Sequence, residues 1–298
     1  MKGQQGNRKE RSGRRELKRY KRAILYTVIA ILLFAGLFAL TFRDRRQVKE
    51  ETHAKVMVMG DSILGECRDE TSVTSLLGEM LGTLVFNGAL GGTSMSRLSG
   101  EERPAYTKDG LCMQAFAQSI ATKDFGVQQT VHSRESATYY FTIAIDMMET
   151  VDFDGLEVLF IEHGMNDYHA GVPLENLQNA YDAHTFTGAL RSSIKTLQKA
   201  YPNLRIVLIT PTYSWYPANV IPQLTCEQYD LGGGVLEDYV EAEKQVAQEM
   251  GVEVLDLYHD FYPHANWSDW EIYTRDGLHP NEEGRKLIAR TVYEFLSE

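Results

Sequence analysis

Cysteine and proline are scarce in this chain, and basic residues are scarce outside its amino-terminal end. Three cysteines in 298 residues cannot all pair within one chain, and so few exclude a small scaffold stapled by disulfides. Eight prolines and 24 glycines exclude collagen-like and low-complexity chains. One disulfide among Cys67, Cys112 and Cys226 stays open, because their spacing favours no pair.

Charge is divided unevenly along the chain. Residues 1–50 hold 14 Lys and Arg against 4 Asp and Glu, whereas the remaining 248 residues hold 16 against 37. An acidic body repels nucleic-acid phosphates, so we expect no sequence-independent binding of nucleic acid. Three motifs of common enzyme classes are absent from the sequence: G-x-S-x-G, G-x-x-x-x-G-K-[ST] and H-E-x-x-H.

A long apolar run lies at residues 23–42 (AILYTVIAILLFAGLFALTF). As a helix it would span about 30 Å, the thickness of the hydrocarbon core of a bilayer. A cleavable signal peptide, with an apolar region of about 7–15 residues, is the alternative. Ten basic residues in 1–22 against four in 43–50 predict a cytoplasmic amino terminus. We therefore expect a single-pass signal anchor at 23–42, a tether at 43–53 and a body outside the cytoplasm.

The body, residues 54–298, alternates short apolar runs with longer helical patterns. Continuous apolar runs are typical of strands buried on both faces of a parallel sheet. Their alternation with helices predicts one doubly wound α/β domain with its site at the carboxyl ends of the strands. The predicted strands are 55–59, 83–86, 156–161, 205–209 and 252–257, and the predicted helices are 71–81, 174–200, 236–250 and 281–296. An insert at about 88–155, with a helical run at 111–121, is either a lid or a surface decoration.

Four short motifs place polar groups after the predicted strands and before the last helix. Ser62 follows the first strand, where a strand-to-helix turn can expose its hydroxyl. Gly92, in the glycine-rich run after the second strand, and Asn166, after the third, can each direct an N–H at an oxyanion. Asp276 can fix the tautomer of His279, three residues further on, and stabilise its imidazolium. Taken singly, the motifs are equally typical of a helix cap, a tight turn or an Asx turn.

Two other groupings compete with these motifs. Asp256 and His259 have the same spacing as the later pair, which we prefer because Pro280 suits the opening of a helix. Glu162 and His163, with Asn166, Asp167 and His169 close by in the sequence, suggest a metal cluster and hence a phosphoesterase. Neighbouring strand residues point to opposite faces, so these two side chains do not converge easily.

The order of the four motifs resembles the SGNH (GDSL-type) hydrolase superfamily across residues 54–298. It is similar in particular to bacterial cell-surface members with an amino-terminal membrane helix. The resemblance implies a flavodoxin-like, three-layer α/β/α fold and a reaction without metal or cofactor. It implies that Ser62 is the nucleophile, that Asp276 and His279 complete a catalytic triad, and that Ser62, Gly92 and Asn166 form the oxyanion hole.

The expected function is therefore that of a serine esterase acting on acyl esters, above all acetyl esters, of a cell-envelope or extracellular carbohydrate. The substrate partner is an acylated small molecule or glycan, and no oligomeric state is favoured. Five aromatic residues either stack on sugar rings or pack in the core: Tyr213, Trp215, Tyr216, Trp267 and Trp270. Three alternatives stay open: a lipid or lysophospholipid acyl hydrolase, an O-acyltransferase of cell-surface glycans, and a non-catalytic surface-binding protein.

Overall fold

The structure, a computed structural model, describes residues 51–98, 110–133, 139–217 and 224–297. Glu51–Glu298 make up one compact unit. The predicted anchor at 23–42 lies outside the described residues. Within those residues, no helix is both long enough and apolar enough to cross a bilayer.

A five-stranded sheet organises the described part of the chain. Its strands are β1 Val56–Gly60, β2 Val85–Asn87, β3 Val158–Glu162, β4 Arg205–Ile209 and β5 Glu253–Leu255. They lie in the order β2-β1-β3-β4-β5, and all neighbours are parallel. This is the flavodoxin-like order of doubly wound sheets, so the predicted parallel α/β sheet is confirmed.

Helices cover both faces of the sheet. They are α1 Ser62–Gly65, α2 Val73–Leu81, α3 Met113–Thr122, α4 Tyr139–Met148, α5 Met165–His169, α6 Phe186–Ala200, α7 Leu236–Met250, α8 Trp270–Tyr273 and α9 Glu282–Ser297. Alternate residues of β1 point into two separate cores. Val58 packs in the core that holds Leu77 of α2 and Ile288 of α9. Met57 packs in the core on the other face, which α3, α4, α6 and α7 cover.

The described part of the insert at 88–155 is built into the larger core. Phe116 of α3 and Ile145 of α4 are buried there, and α3 packs along α6. These two helices therefore serve as core elements of the domain and are more than a surface decoration.

The predicted helix at 174–200 is wrong in its first part, because α6 begins only at Phe186. Ahead of it, the side-chain oxygens of Asn176, Asn179 and Asp182 each accept the backbone N–H two residues further on. Such Asx turns compete with helical hydrogen bonds. The regular apolar spacing that favours a helix also starts at Phe186.

Candidate active site

Ser62 is the first residue of α1, at the sharp turn after β1. Asp61 caps this short helix, since its Oδ1 accepts the backbone N–H of Ile63 at 2.9 Å. Gly60 ends β1, and a Cβ at that position would lie 3.0 Å from the backbone oxygen of Glu162. Glycine thus lets β1 and β3 approach closely. The turn leaves Ser62 partly buried at the carboxyl edge of the sheet.

His279 lies directly beside Ser62. Its Nε2 is 3.0 Å from Ser62 Oγ, and its Nδ1 is 2.8 Å from Asp276 Oδ2. The second carboxylate oxygen, Asp276 Oδ1, accepts the backbone N–H of His279 at 2.8 Å, which holds the two side chains together. The structure therefore joins these three sequence-predicted residues in one chain of hydrogen bonds.

The hydrogen bonds of His279 determine its tautomer. A carboxylate only accepts hydrogen bonds, so Nδ1 carries the ring proton and Nε2 is left to accept from the Ser62 hydroxyl. Burial raises the pKa of Asp276, but hydrogen bonds from the side chain and backbone of His279 outweigh it and bring the pKa below its usual value. Asp276 is thus ionised at neutral pH, the state that stabilises an imidazolium.

Asp256 and His259 repeat the local geometry of the later pair. His259 Nδ1 lies 2.8 Å from Asp256 Oδ2, and Asp256 Oδ1 accepts the backbone N–H of His259 at 3.0 Å. Here, however, the outer nitrogen faces carboxylates of α7: His259 Nε2 is 3.7 Å from Glu237 and 4.0 Å from Glu241. Of the two pairs, only the later one is hydrogen-bonded to Ser62.

Asn166 lies on α5, directly after the third strand. Its Nδ2 donates to Asp61 Oδ2 at 2.8 Å, which ties the carboxamide to the turn that carries Ser62. Asp61 is completely buried, and this burial is the largest cause of a pKa raised to about 6. The sequence predicts Asn166 as a site residue but gives no sign of its contact with Asp61, because an Asp in such a turn is usually interpreted only as a helix cap.

The glycine-rich run after β2 lies against the nucleophile's turn. A Cβ on Gly91 would lie 3.5 Å from Ser62 Cβ, but the Gly91 N–H already donates to Tyr140 Oη at 3.0 Å. Gly92 has a φ of 74°, a conformation that favours glycine. Gly92 is the residue of this run that the sequence predicts as an oxyanion donor.

A cavity of about 480 Å³ opens beside Ser62 and His279. Its walls are mostly polar and charged, and include Glu66, Arg68, Asp69, Tyr140, Arg275 and Arg285. Glu66 forms an ion pair with Arg275 and lies 3.9 Å from His279 Nε2. Sequence reasoning missed these residues because they belong to no motif. Two of them could have been found from the sequence, because Glu66 follows Ser62 closely and Arg275 directly precedes Asp276.

The aromatic residues singled out in the sequence are buried or partly buried against the core. Tyr213 and Trp215 are only 3% and 2% exposed, so they pack in the core rather than stack on a ligand. Tyr216 is partly buried against the core, with its Oη 3.0 Å from His169 Nε2. Burial, followed by the charge of His279, lowers the pKa of His169 to about 4. Trp267 and Trp270 are partly buried against the core.

The remaining sequence candidates do not form a second centre. No disulfide joins any two of Cys67, Cys112 and Cys226. Glu162 accepts the backbone N–H of Asp61, whereas the ring of His163 lies 3.3 Å from the Thr93 hydroxyl. In the described ranges, no group of three or more His, Cys, Asp and Glu side chains is arranged to hold a metal ion.

The fold and the sequence together define a class of ester-hydrolysing enzymes. The chain belongs to the GDSL-like lipase/acylhydrolase family, whose profile matches residues 58–287. Among curated proteins, the isoamyl acetate-hydrolyzing esterase 1 homolog of Bos taurus is 28% identical over 140 residues, which is 45% of this chain and 53% of that protein. The Homo sapiens protein of the same name is 27% identical over the same lengths. The chain thus spans about half the length of the curated relatives it matches.

Solved structures share the fold over most of the body. A protein from Lactobacillus plantarum is 20% identical with a TM-score of 0.58, covering 83% of this chain and 98% of that one. A possible lipase from Chitinophaga pinensis is also 20% identical, with a TM-score of 0.51 and coverage of 81% and 96%. At this identity, the likeness establishes the fold alone.

Proposed function

We propose that this protein is a serine esterase that removes short acyl groups, above all acetyl, from a cell-envelope or extracellular carbohydrate. The observation that carries the proposal is the hydrogen-bonded chain from Ser62 Oγ through His279 to Asp276. A partly buried hydroxyl that meets an imidazole with a fixed tautomer is the arrangement that activates a serine for attack on a carbonyl.

In the first half of the reaction, Ser62 Oγ attacks the acyl carbonyl carbon while His279 Nε2 takes the hydroxyl proton. Asp276 stabilises the resulting imidazolium through Nδ1. The tetrahedral oxyanion is met by the backbone N–H groups of Ser62 and Gly92 and by the carboxamide of Asn166. One of the two N–H bonds of that carboxamide is held by Asp61, which leaves the other to face the oxyanion.

The protonated His279 then gives its proton to the leaving alkoxide, and the C–O bond to the alcohol breaks. This completes the first half of the reaction and leaves an acyl group on Ser62. In the second half, His279 takes a proton from water, whose oxygen attacks the acyl carbon. Collapse of the second tetrahedral intermediate returns the proton to Ser62 Oγ and releases the carboxylic acid.

The character of the cavity supports a hydrophilic ester of a short acid. Its apolar contributions come from Ile63, Tyr140 and Pro280, while charged side chains supply most of the other walls. A long acyl chain would gain little free energy in such a site, since binding it depends on the apolar area buried. This argues against the lipid or lysophospholipid alternative. The relatives are named for isoamyl acetate, itself an acetate ester.

The discriminating experiment assays residues 51–298, the compact unit, on p-nitrophenyl acetate, butyrate and octanoate, and then on acetylated sugars. We expect kcat/KM to fall from acetate to octanoate and acetylated sugars to be hydrolysed. A preference for octanoate would support the lipid hydrolase. An acyl group that appears on an added sugar rather than in free acetate would support the O-acyltransferase, and no turnover of any ester would support a non-catalytic binding protein.

We also propose that residues 23–42 anchor the enzyme in a membrane with residues 1–22 in the cytoplasm. The support is the charge-free apolar run and the excess of basic residues before it. Protease added to intact cells, after removal of any wall, should degrade the body and spare an amino-terminal tag. A body that stays protected until lysis would contradict this orientation, and a shorter soluble form would indicate signal-peptide cleavage instead.

A further inference from the structure

Asp61 connects the two halves of the proposed catalytic machinery. Its Oδ1 caps the helix of Ser62 through the Ile63 N–H at 2.9 Å, and its Oδ2 accepts from Asn166 Nδ2 at 2.8 Å. Its own backbone N–H donates to Glu162 Oε2 at 3.3 Å. No part of this residue reaches solvent, so each of these contacts is shielded from competition by water.

The contact with Asn166 decides which end of the carboxamide can face a substrate. A carboxamide has a donor NH₂ and an acceptor oxygen of nearly the same shape, and a half-turn of its last torsion exchanges them. A carboxylate accepts only, so Asp61 selects the orientation in which NH₂ lies on its side. The reversed orientation would point a carbonyl oxygen towards Asp61 and remove the donor that a developing oxyanion needs.

Glu162 lies behind Asp61, at the end of β3, and is 1% exposed. Burial, and then the charge of Asp61, raise its pKa well above the usual value. Glu162 Oε2 accepts the Asp61 N–H at 3.3 Å, whereas Oε1 has no hydrogen-bond partner among the described residues. A protonated Glu162 fits this position, because it places no second negative charge beside Asp61 and gives the buried carboxyl an O–H that can donate to the Asp61 carboxylate.

The other ionisable groups around Asp61 allow its carboxyl to be ionised. Asp167 on α5 and His279 on the loop before α9 act on it electrostatically, in opposite senses. Asp167 is itself engaged with the Met95 and Ser96 backbone N–H groups. The ionised carboxylate at position 61 therefore faces one neutral acid, one hydrogen-bonded carboxyl and the catalytic imidazole.

We infer that Asp61 is a positioning residue for the reaction: its carboxylate fixes the Asn166 carboxamide with N–H towards the oxyanion, and protonated Glu162 stabilises that carboxylate. The inference rests on the proposed function. It assigns Asp61, the Asp of the Gly-Asp-Ser turn, a role beyond capping α1. It also gives the buried Glu162 a function, which is to stabilise the Asp61 carboxylate.

The test measures kcat and KM for Asp61→Asn, Asn166→Ala and the double variant in the full-length chain. Asp61→Asn keeps an oxygen for the Ile63 N–H but presents NH₂ to the NH₂ of Asn166, so we expect the carboxamide to turn over. The expected result is a fall in kcat of about 10²-fold with KM changed less than about threefold. The double variant should be no slower than Asn166→Ala, because both changes remove the same donor.

Variants of Glu162 provide an independent arm should Asp61→Asn fold poorly. Glu162→Ala should lower kcat about tenfold, and Glu162→Gln should recover most of that loss, since its NH₂ replaces the O–H donor. Glu243→Gln is the matched control, a buried carboxyl on α7 with a raised pKa and, among the described residues, no hydrogen bond to Asp61 or Asn166. It should leave kcat unchanged.

Ser62→Ala in the same series separates the two levels of the account. If Ser62→Ala stays active, the proposed function fails. The positioning role alone is overturned by another result. In it, Ser62→Ala is inactive, but Asp61→Asn lowers kcat by the same factor in the Asn166→Ala variant as in the wild type. Equal losses in Glu162→Gln and Glu162→Ala would also overturn the part assigned to Glu162.

Discussion

His279 Nε2 lies 3.0 Å from Ser62 Oγ, although the two residues are 217 positions apart in the chain. The contact depends on the parallel sheet, which gathers the loop after β1 and the loop before α9 at one edge. It is also the feature that separates His279 from His259, whose local pairing with an aspartate is the same. The following predictions concern this contact and its surroundings.

Removing either partner of the contact should abolish turnover to a similar extent. Ser62→Ala and His279→Ala should each lower kcat by about 10⁴-fold or more, and the double variant should be scarcely worse, because the two groups act in one proton transfer. Steady-state kinetics on p-nitrophenyl acetate, with circular dichroism to establish folding, measures this. Additive losses in the double variant would mean that the two residues act in separate steps.

The pair formed by Asp256 and His259 provides a control of matched chemistry. His259→Ala should leave kcat within about threefold of the wild type, since its Nε2 faces carboxylates of α7 rather than a serine. Its effect should appear as a lower melting temperature. An inactive but folded His259→Ala, together with an active His279→Ala, would transfer the role of base to the earlier pair.

Asn166→Ala should lower kcat by about 10²–10³-fold through loss of an oxyanion donor, with KM little changed. The substitution also leaves the buried Asp61 Oδ2 without its 2.8 Å donor, so some stability should be lost as well. Kinetics and thermal denaturation of the same preparation separate the two effects. A change confined to KM would show that Asn166 binds the ground state and does not stabilise the transition state.

The stability contributed by two buried carboxyls, those of Asp61 and Asp167, should decline from pH 4 to pH 7. Burial is the largest cause that raises the pKa of both Asp61 and Asp167 to about 6, above the value of about 4 in an unfolded chain. The folded state therefore holds these protons to higher pH. The stability they contribute is fully present below about pH 4 and is lost as pH rises through about 6.

Each of these two carboxyls contributes on the order of 3 kcal/mol across that window. Burial lowers the pKa of His163 to about 3 and is the main cause that lowers the pKa of His169 to about 4, so these two histidines change stability in the opposite direction over the same range. The contribution of Asp167 is therefore measured as the difference in free energy of unfolding between the wild type and Asp167→Asn, from urea unfolding at several pH values, and the advantage of the wild type should shrink from pH 4 to pH 7. A difference that stays constant over this range would contradict the raised pKa of Asp167.

Much of the fold could be predicted because strands and helices in this chain have clear local signals. Apolar runs mark every strand of the sheet, and the helix over Leu236–Met250 has the predicted bounds. The helix predicted from residue 174 failed because the side chains of Asn176, Asn179 and Asp182 make local turns, an effect that a count of apolar spacing overlooks.

For the site, the sequence could supply the motifs but not their partners. The meeting of the motifs follows from parallel strands that end at the same edge. By contrast, the contact between Asp61 and Asn166 spans 105 positions, and the burial of Glu162 depends on packing from several elements. Neither leaves a local pattern. For Tyr213 and Trp215 the sequence suggested a function that their positions do not support. Aromatic rings can stack on sugars, but these two are buried in the core.

The most direct test of the central claim is the intact mass of the protein after reaction with a fluorophosphonate, followed by peptide mapping. The account predicts one adduct, on the Oγ of Ser62, formed at a much lower rate in His279→Ala and at the wild-type rate in His259→Ala. Ser62→Ala should take up no label. A folded Ser62→Ala that is labelled at the wild-type rate, or an adduct that maps to another residue, would contradict the assignment of Ser62 as the nucleophile.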